Sequence, residues 1–274
     1  MHLEALMLKK FLIFLILFVL IFSLTGCWGK RELDEIDIVI ATGIDTDESG
    51  GITVTVICTT PIRVEQGASL QRSTAWVGVA SGENIADAFL NLRRIATKRL
   101  VWFQNRLIII SQGAAKTRMK SIMDFLTRNR EIRYENYVLI TGNSARDMLL
   151  VPADVEKNLQ TEILGLVENA NEWSKSYVNN IKEFMVSLSH KDAGIVTGRL
   201  DYYNSTRNSF STSRELYKRM PLEGEKLSIA YLEGGAVFKG YSMVGWLDGI
   251  ETRGYLWVTG KVGSGVLLVD NPRG

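Results

Sequence analysis

The sequence predicts an α+β protein: mixed sheets with packed helices, in a multi-domain ectodomain behind a lipoprotein signal peptide. Three observations predict it. An apolar run, Phe11 to Phe22, follows Lys9 and Lys10 and leads into Leu24-Thr25-Gly26-Cys27. Beyond it, short β-branched runs such as Ile52 to Thr60 recur along the chain. Between them lie stretches of helical period such as Glu83 to Thr97. Strands and helices interleaved in this way pack as layers around a shared core.

Residues 1–26 carry a basic segment, an apolar segment and a small-residue cleavage site, the layout of a secretory signal peptide. The apolar core is about a dozen residues, short of the ~20 that span a bilayer. Leu24, Thr25 and Gly26 stand before a cysteine, which makes the site a bacterial lipobox. The Cys27 thiol is then expected to take a diacylglyceryl group and to become the lipidated N-terminus. Removal of residues 1–26 leaves 248 residues, enough for one large domain or two ordinary ones. The expected division is an N-terminal α+β domain over 27–203, a polar linker or loop over 204–224, and an incomplete second α+β domain over 225–274.

That mature chain has 30 basic and 29 acidic residues, a formal charge of +1. A near-neutral chain gives no electrostatic case for nucleic acid. It also lacks a polybasic patch that would help hold an anionic membrane, so attachment should rest on acyl chains at about 0.8 kcal/mol per buried CH₂. Lipidation of Cys27 leaves Cys58 alone, which excludes an intramolecular disulfide. Cys58 lies in the Ile52 to Thr60 run, where a buried thiol behaves as a small apolar side chain. His190 is the one histidine of the mature chain, so a Cys/His metal site is excluded and no cofactor is expected.

Asp37 to Ile44 reads as a buried strand, the polar stretch Asp45 to Gly51 as a turn, and Ile52 to Thr60 as its hairpin partner. A third strand is expected around Ala75 to Val79. Over Glu83 to Thr97, Ile85, Phe89, Leu92 and Ala96 fall on one helical face. A strand (Arg106 to Ser111), a helix (Ala114 to Arg128) and another strand (Tyr134 to Thr141) follow. Asn143 or Ser144 caps a short helix ending at Leu150. Helices near Leu159 to Glu172 and Val178 to Ser189 precede a strand over Gly194 to Tyr203. Asn204 to Arg219 reads as an exposed loop. Strands over Leu227 to Leu232 and Gly235 to Lys239, a helix over Gly249 to Lys261 and a strand at Val266 to Val269 complete the pattern.

Catalytic motifs fail on inspection. Asp45 to Gly50 imitates a calcium loop, but its twelfth position is Val56 where a bidentate Glu is required. Gly254 to Val262 places five residues where a phosphate loop has four, and ends in Val rather than Ser or Thr. Gly263 and Gly265 lack the third glycine of a dinucleotide fingerprint. His190, the only base for a Ser-His-Asp arrangement, sits at an expected helix end where a helix dipole explains it. Arg93, Arg94, Lys98 and Arg99 with Trp102 and Phe103 form a basic–aromatic cluster. A nucleic-acid or headgroup site would use such a cluster. The favoured reading is a helix end with snorkelling side chains and two core aromatics. On a lipid-tethered body these basic residues could also face anionic headgroups.

Several stretches together resemble the Ger(x)C family of spore germination lipoproteins, the C subunits of nutrient-germinant receptors. Gly26-Cys27-Trp28-Gly29-Lys30-Arg31-Glu32-Leu33 resembles the family's start. Asp37 to Asp45, Ile122 to Arg133 and Tyr137 to Ile140 are similar to its N-terminal domain. Gly235 to Lys239, Val244 to Leu247 and Glu251 to Trp257 with Gly260-Lys261 resemble the opening of its second part. The resemblance implies a rod-like ectodomain on the outer face of the inner spore membrane, with Cys27 as the acylated residue. It implies integral-membrane A and B subunits as partners, the B subunit resembling an amino-acid permease. No enzymatic activity and no cofactor come with it. Family members carry on the order of 100 further residues, so the sequence is expected to be truncated. The alternatives are a solute-binding lipoprotein of a transporter, which needs two lobes around a cleft, and a tethered hydrolase, which needs a catalytic set.

Overall fold

The computed structural model describes residues 2–23, 35–59, 75–153, 156, 158–189, 194–204 and 228–265. Two compact units divide the chain, Met1–Glu35 and Ile36–Gly274. In the first, α1 (His2–Ser23) carries the apolar run. Side chains Phe11 to Val19 stand exposed along it. Among the described residues no helix is long and apolar enough to cross a membrane. The lipobox, Leu24 to Cys27, lies outside the described residues, as do His190, the Val266 to Val269 strand and all of the expected loop Asn204 to Arg219 except Asn204, which ends a strand.

The second unit is built on one mixed sheet between two layers of helices. β1 (Ile36–Thr46) and β2 (Ile52–Thr59) form the expected hairpin, and β3 (Ala75–Gly82) adds to it antiparallel. After α2 (Ile85–Ile95) the chain returns as β4 (Arg99–Val101), parallel to the start of β1. β5 (Leu107–Ser111) then pairs parallel with β1, and β6 (Tyr137–Thr141) parallel with β5. Between those two strands lie α3 (Gln112–Thr117) and α4 (Met119–Arg128). Next come α5 (Ala145–Leu149), α6 (Leu159–Trp173), the two-residue β7 (Asn179–Asn180) and α7 (Ile181–Ser189). β8 (Ile195–Asn204) joins β6 in parallel at Ile140 and Arg199. β9 (Ser228–Lys239) and β10 (Ser242–Leu247) extend the sheet antiparallel, and α8 (Gly249–Val258) follows. The strand order is β10-β9-β8-β6-β5-β1-β2-β3. A parallel centre is therefore flanked by antiparallel hairpins, and the fold is α+β as its strand and helix runs predict.

Period-two alternation explains why both faces are covered. On β5, Ile108 and Ile110 enter one core with Phe89 and Leu92 of α2, Ile122 and Leu126 of α4, and Phe184 of α7. Their neighbours Leu107 and Ile109 enter the other, with Met148 of α5 and Ile163 and Val167 of α6. A strand buried on both sides reads as a continuous apolar run, which is how β5 reads.

Four local differences have physical causes. The expected helix over Ala114 to Arg128 is two helices that meet at Arg118 (φ −125°, ψ 0°). Arg118 turns outward there, and its Nη2 donates to the Gly50 carbonyl at 2.7 Å. The two expected strands at 227–239 are one, because Gly234 adopts φ +81° and carries the chain through the joint. β10 carries a bulge between Met243 and Gly245, which breaks the alternation that would mark it in sequence. Finally, Trp102 is a core aromatic with 0% exposure, but Phe103 is 47% exposed and is not. Trp102 donates to Thr42 Oγ1 at 3.3 Å, so its one polar atom is satisfied.

Candidate functional site

In open sheets with parallel strands, ligands sit outside the carboxyl ends of those strands. Here that edge is occupied by two of the protein's own carboxylates. Asp45, near the end of β1, accepts the amide protons of Ala145 and Arg146 at 2.8 and 3.0 Å. It also accepts the Ser144 hydroxyl at 3.3 Å. These are the first amides of α5, the position where a bound anion would be stabilised. Asp201, on β8, is 3% exposed. Its Oδ1 accepts from Thr141 Oγ1 at 3.0 Å, the Gly142 amide at 3.0 Å and Asn143 Nδ2 at 3.1 Å. Arg199 Nε donates to Oδ2 at 2.7 Å, and its guanidinium lies 4.7 Å from the Trp246 ring centroid. Tyr231 pairs with Asp201 across β8 and β9. Burial, and then the Asp201 charge, push its phenol above the ordinary range. Both oxygens of Asp45 and both of Asp201 are taken up by the fold, which ties β1 to α5 and β6 to β8.

A second cluster locks the chain after α8 to the end of α6. Helix ends leave carbonyls without intrahelical partners. The Asn171 carbonyl accepts the Ser264 amide at 3.2 Å, that of Glu172 the Ser264 hydroxyl at 2.7 Å, and that of Trp173 Arg253 Nη2 at 3.2 Å. Ser174, left-handed at φ 49°, donates its hydroxyl to the Ser264 carbonyl. Lys261 Nζ stands 4.4 Å from the Tyr177 ring centroid.

A wide groove of about 540 Å³ is lined by Arg118, Asp124, Met185 and Tyr241, among others. Two of its charged groups are engaged elsewhere, Arg118 with Gly50 and Asp124 with Arg128 at 2.9 Å. Among the described residues no group of three or more His, Cys, Asp or Glu side chains could hold a metal.

The sequence-derived candidates fall as follows. Cys27, Leu24, Thr25 and Gly26 lie outside the described residues. Cys58 is 0% exposed, and burial, with a smaller contribution from the Asp37 charge, pushes its thiol up to about 12. The calcium-like stretch is a turn in which Asp47 accepts the Ser49 hydroxyl and the Gly51 amide, both at 2.7 Å. Those bonds, the Ser49 hydroxyl first, hold the Asp47 carboxyl below its usual range. Gly254 lies within α8 and forms no phosphate loop. Of the basic–aromatic cluster, Arg93 and Arg99 share Glu131 at 3.0 and 3.4 Å, and the Arg93 guanidinium lies 5.5 Å from the Trp102 centroid. Asp201 and Asp45 as clamps were not singled out by sequence. The available signal is an aspartate in the last residues of each strand run.

Comparison with known proteins gives one consistent result. Residues 29–201 match the model of the spore germination protein N-terminal domain. Residues 233–274 match that of the spore germination B3/GerAC-like C-terminal domain. Spore germination protein KC of Bacillus subtilis (strain 168) is 23% identical over 267 residues, 93% of this chain and 63% of the relative. Spore germination protein GerQC of Bacillus cereus is 24% identical over 237 residues, 86% of this chain and 57% of the relative. The putative spore germination protein YfkR of Bacillus subtilis (strain 168) is 26% identical over 138 residues, 49% of this chain and 36% of the relative. The chain thus spans about three fifths of the length of the first and second of these relatives. No solved structure matches it. With the N-terminal model covering most of the sequence and the C-terminal model following in order, the chain belongs to the GerAC-like family of spore germination proteins.

Proposed function

We propose that the chain is the lipid-tethered C subunit of a spore nutrient-germinant receptor, acting by assembly with integral-membrane A and B subunits. The observation that carries this is the family match over 29–201 and 233–274, which begins two residues after the lipobox cysteine. In this reading Cys27 bears a diacylglyceryl group, Leu24, Thr25 and Gly26 direct the cleavage, and the folded unit is held at the outer face of the inner spore membrane. The internally satisfied carboxylates at the sheet's carboxyl edge support a role in binding and assembly rather than in turnover.

Deletion of the gene tests this. Spores of the deletion strain should lose their response to at least one nutrient and regain it on complementation. Normal germination in a strain with no related gene to compensate would overturn the proposal. The alternative, a solute-binding lipoprotein of a transporter, predicts instead a clear thermal shift with one nutrient, since a ligand bound by the folded state raises its stability.

A further inference from the structure

We infer that the edge opposite Asp45 and Asp201 docks on an anionic lipid surface. β1 and β4 start level, with Ile36 opposite Arg99. Parallel to them, β5 and β6 start further along, Leu107 opposite Ala41 and Tyr137 opposite Leu107, so the amino ends form one stepped edge. The body begins there at Ile36, which pairs with Arg99. Basic residues stand in each connection that reaches the edge, and in the one before β6 they are balanced by Glu131 and Glu135. α2 ends in Arg94, Lys98 leads into β4, Arg106 precedes β5 and Arg130 precedes β6. None of these four makes an ion pair among the described residues, whereas Arg93 and Arg99 are held by Glu131. Exposed apolar side chains stand among them: Ile95 at 58%, Phe103 at 47% and Tyr134 at 50%. A chain of nearly zero net charge thus has four basic side chains without ion-pair partners among the described residues at this edge. Folding, rather than overall composition, supplies the basic patch.

Such a mixture suits the headgroup region, where basic residues attract anionic lipid and apolar ones insert. The argument rests on the tether proposed above. Eight residues separate Cys27 from Ile36, a reach of at most roughly 30 Å. Along β1, Asp45 lies about 30 Å from Ile36. Only a tether laid fully extended back along the strand would bring the Asp45 edge to the membrane, and the basic edge is the one that a less extended tether presents.

The test uses the full lipidated chain in vesicles, with an environment-sensitive fluorophore on Phe103→Cys or on Glu48→Cys, the latter in the β1–β2 turn at the far edge. In vesicles of phosphatidylcholine and phosphatidylglycerol in equal parts, the label at 103 should shift to the blue and that at 48 should not. Adding R94A, K98A, R106A and R130A, or high salt, should abolish the shift. Equal spectra at the two positions, or a shift at 103 that survives the fourfold substitution, would overturn the proposal. The tether is read separately, from the mass of the Cys27 peptide, so that failure of one is distinguished from failure of the other.

Discussion

Asp201 on β8 accepts the Thr141 hydroxyl at the end of β6 at 3.0 Å. This bond ties β6 to β8 within the first family-matched segment. β6 and β8 are joined by a single register pair, Ile140 with Arg199. Side chains therefore supply much of what the ladder does not. The Asp201 carboxylate gathers one hydroxyl, one backbone amide, one side-chain amide and one guanidinium.

Replacing it should loosen that seam. Asp201→Ala leaves Thr141, Gly142 and Asn143 without their shared acceptor. A hydrogen bond to a charged group contributes about 1.5–3 kcal/mol. Because Arg199 is part-exposed and can turn to water, the expected loss is about 2–3 kcal/mol, read as a lower denaturant midpoint. An unchanged midpoint would show that the clamp adds nothing.

Gly234 is a second joint. At φ +81° its backbone is one that side chains disfavour. A Cβ there would also lie 2.4 Å from the Leu247 carbonyl oxygen. Gly234→Ala should cost about 2 kcal/mol or more, whereas Gly240→Ala, strained at φ +58° but with nothing within 4 Å, should cost less. The ordering of the two midpoints is the check.

Ser264 ties the chain after α8 to the end of α6 through its amide and its hydroxyl. Ser264→Ala removes only the hydroxyl bond, worth about 1 kcal/mol. Ser264→Pro also removes the amide donor, so it should destabilise further. Identical midpoints for the two variants would show that the amide bond does not contribute.

Cys58 carries a pH prediction. Its thiol is raised from 9.0 to about 12 in the fold, so between these values the unfolded chain releases a proton that the folded one keeps. Its contribution is fully present below pH 9 and falls as pH rises toward 12, by at most about 1.4 kcal/mol per pH unit. Cys58→Ala should show a shallower decline in stability over that window. Parallel curves for the two proteins would contradict the burial of the thiol.

The hairpin of β1 and β2, the faces of α2 and α4 and the apolar β5 were legible because each obeys one period along its length. β4, with three residues, and β7, with two, are too short to carry a period. β10 was hidden by its bulge. The clamp escaped notice because Asp45 and Asp201 lie far apart in sequence and reach residues 141–146 only through the crossover. The basic edge was legible in part, as the cluster of Arg94 and Lys98 with Phe103, while Arg106 and Arg130 join it only through the fold. Net charge averages over Arg94, Arg106 and Arg130, while the parallel topology sums them in one place.

The most direct test of the central claim is affinity purification of the full chain from detergent-solubilised spore membranes, alongside its Cys27→Ala variant. The account predicts that the wild-type chain brings down two integral-membrane subunits and that its Cys27 peptide carries the diacylglyceryl mass. The variant should be released from the membrane fraction, since acyl chains dominate anchoring. A chain that purifies without membrane partners, with an unmodified Cys27, would contradict it.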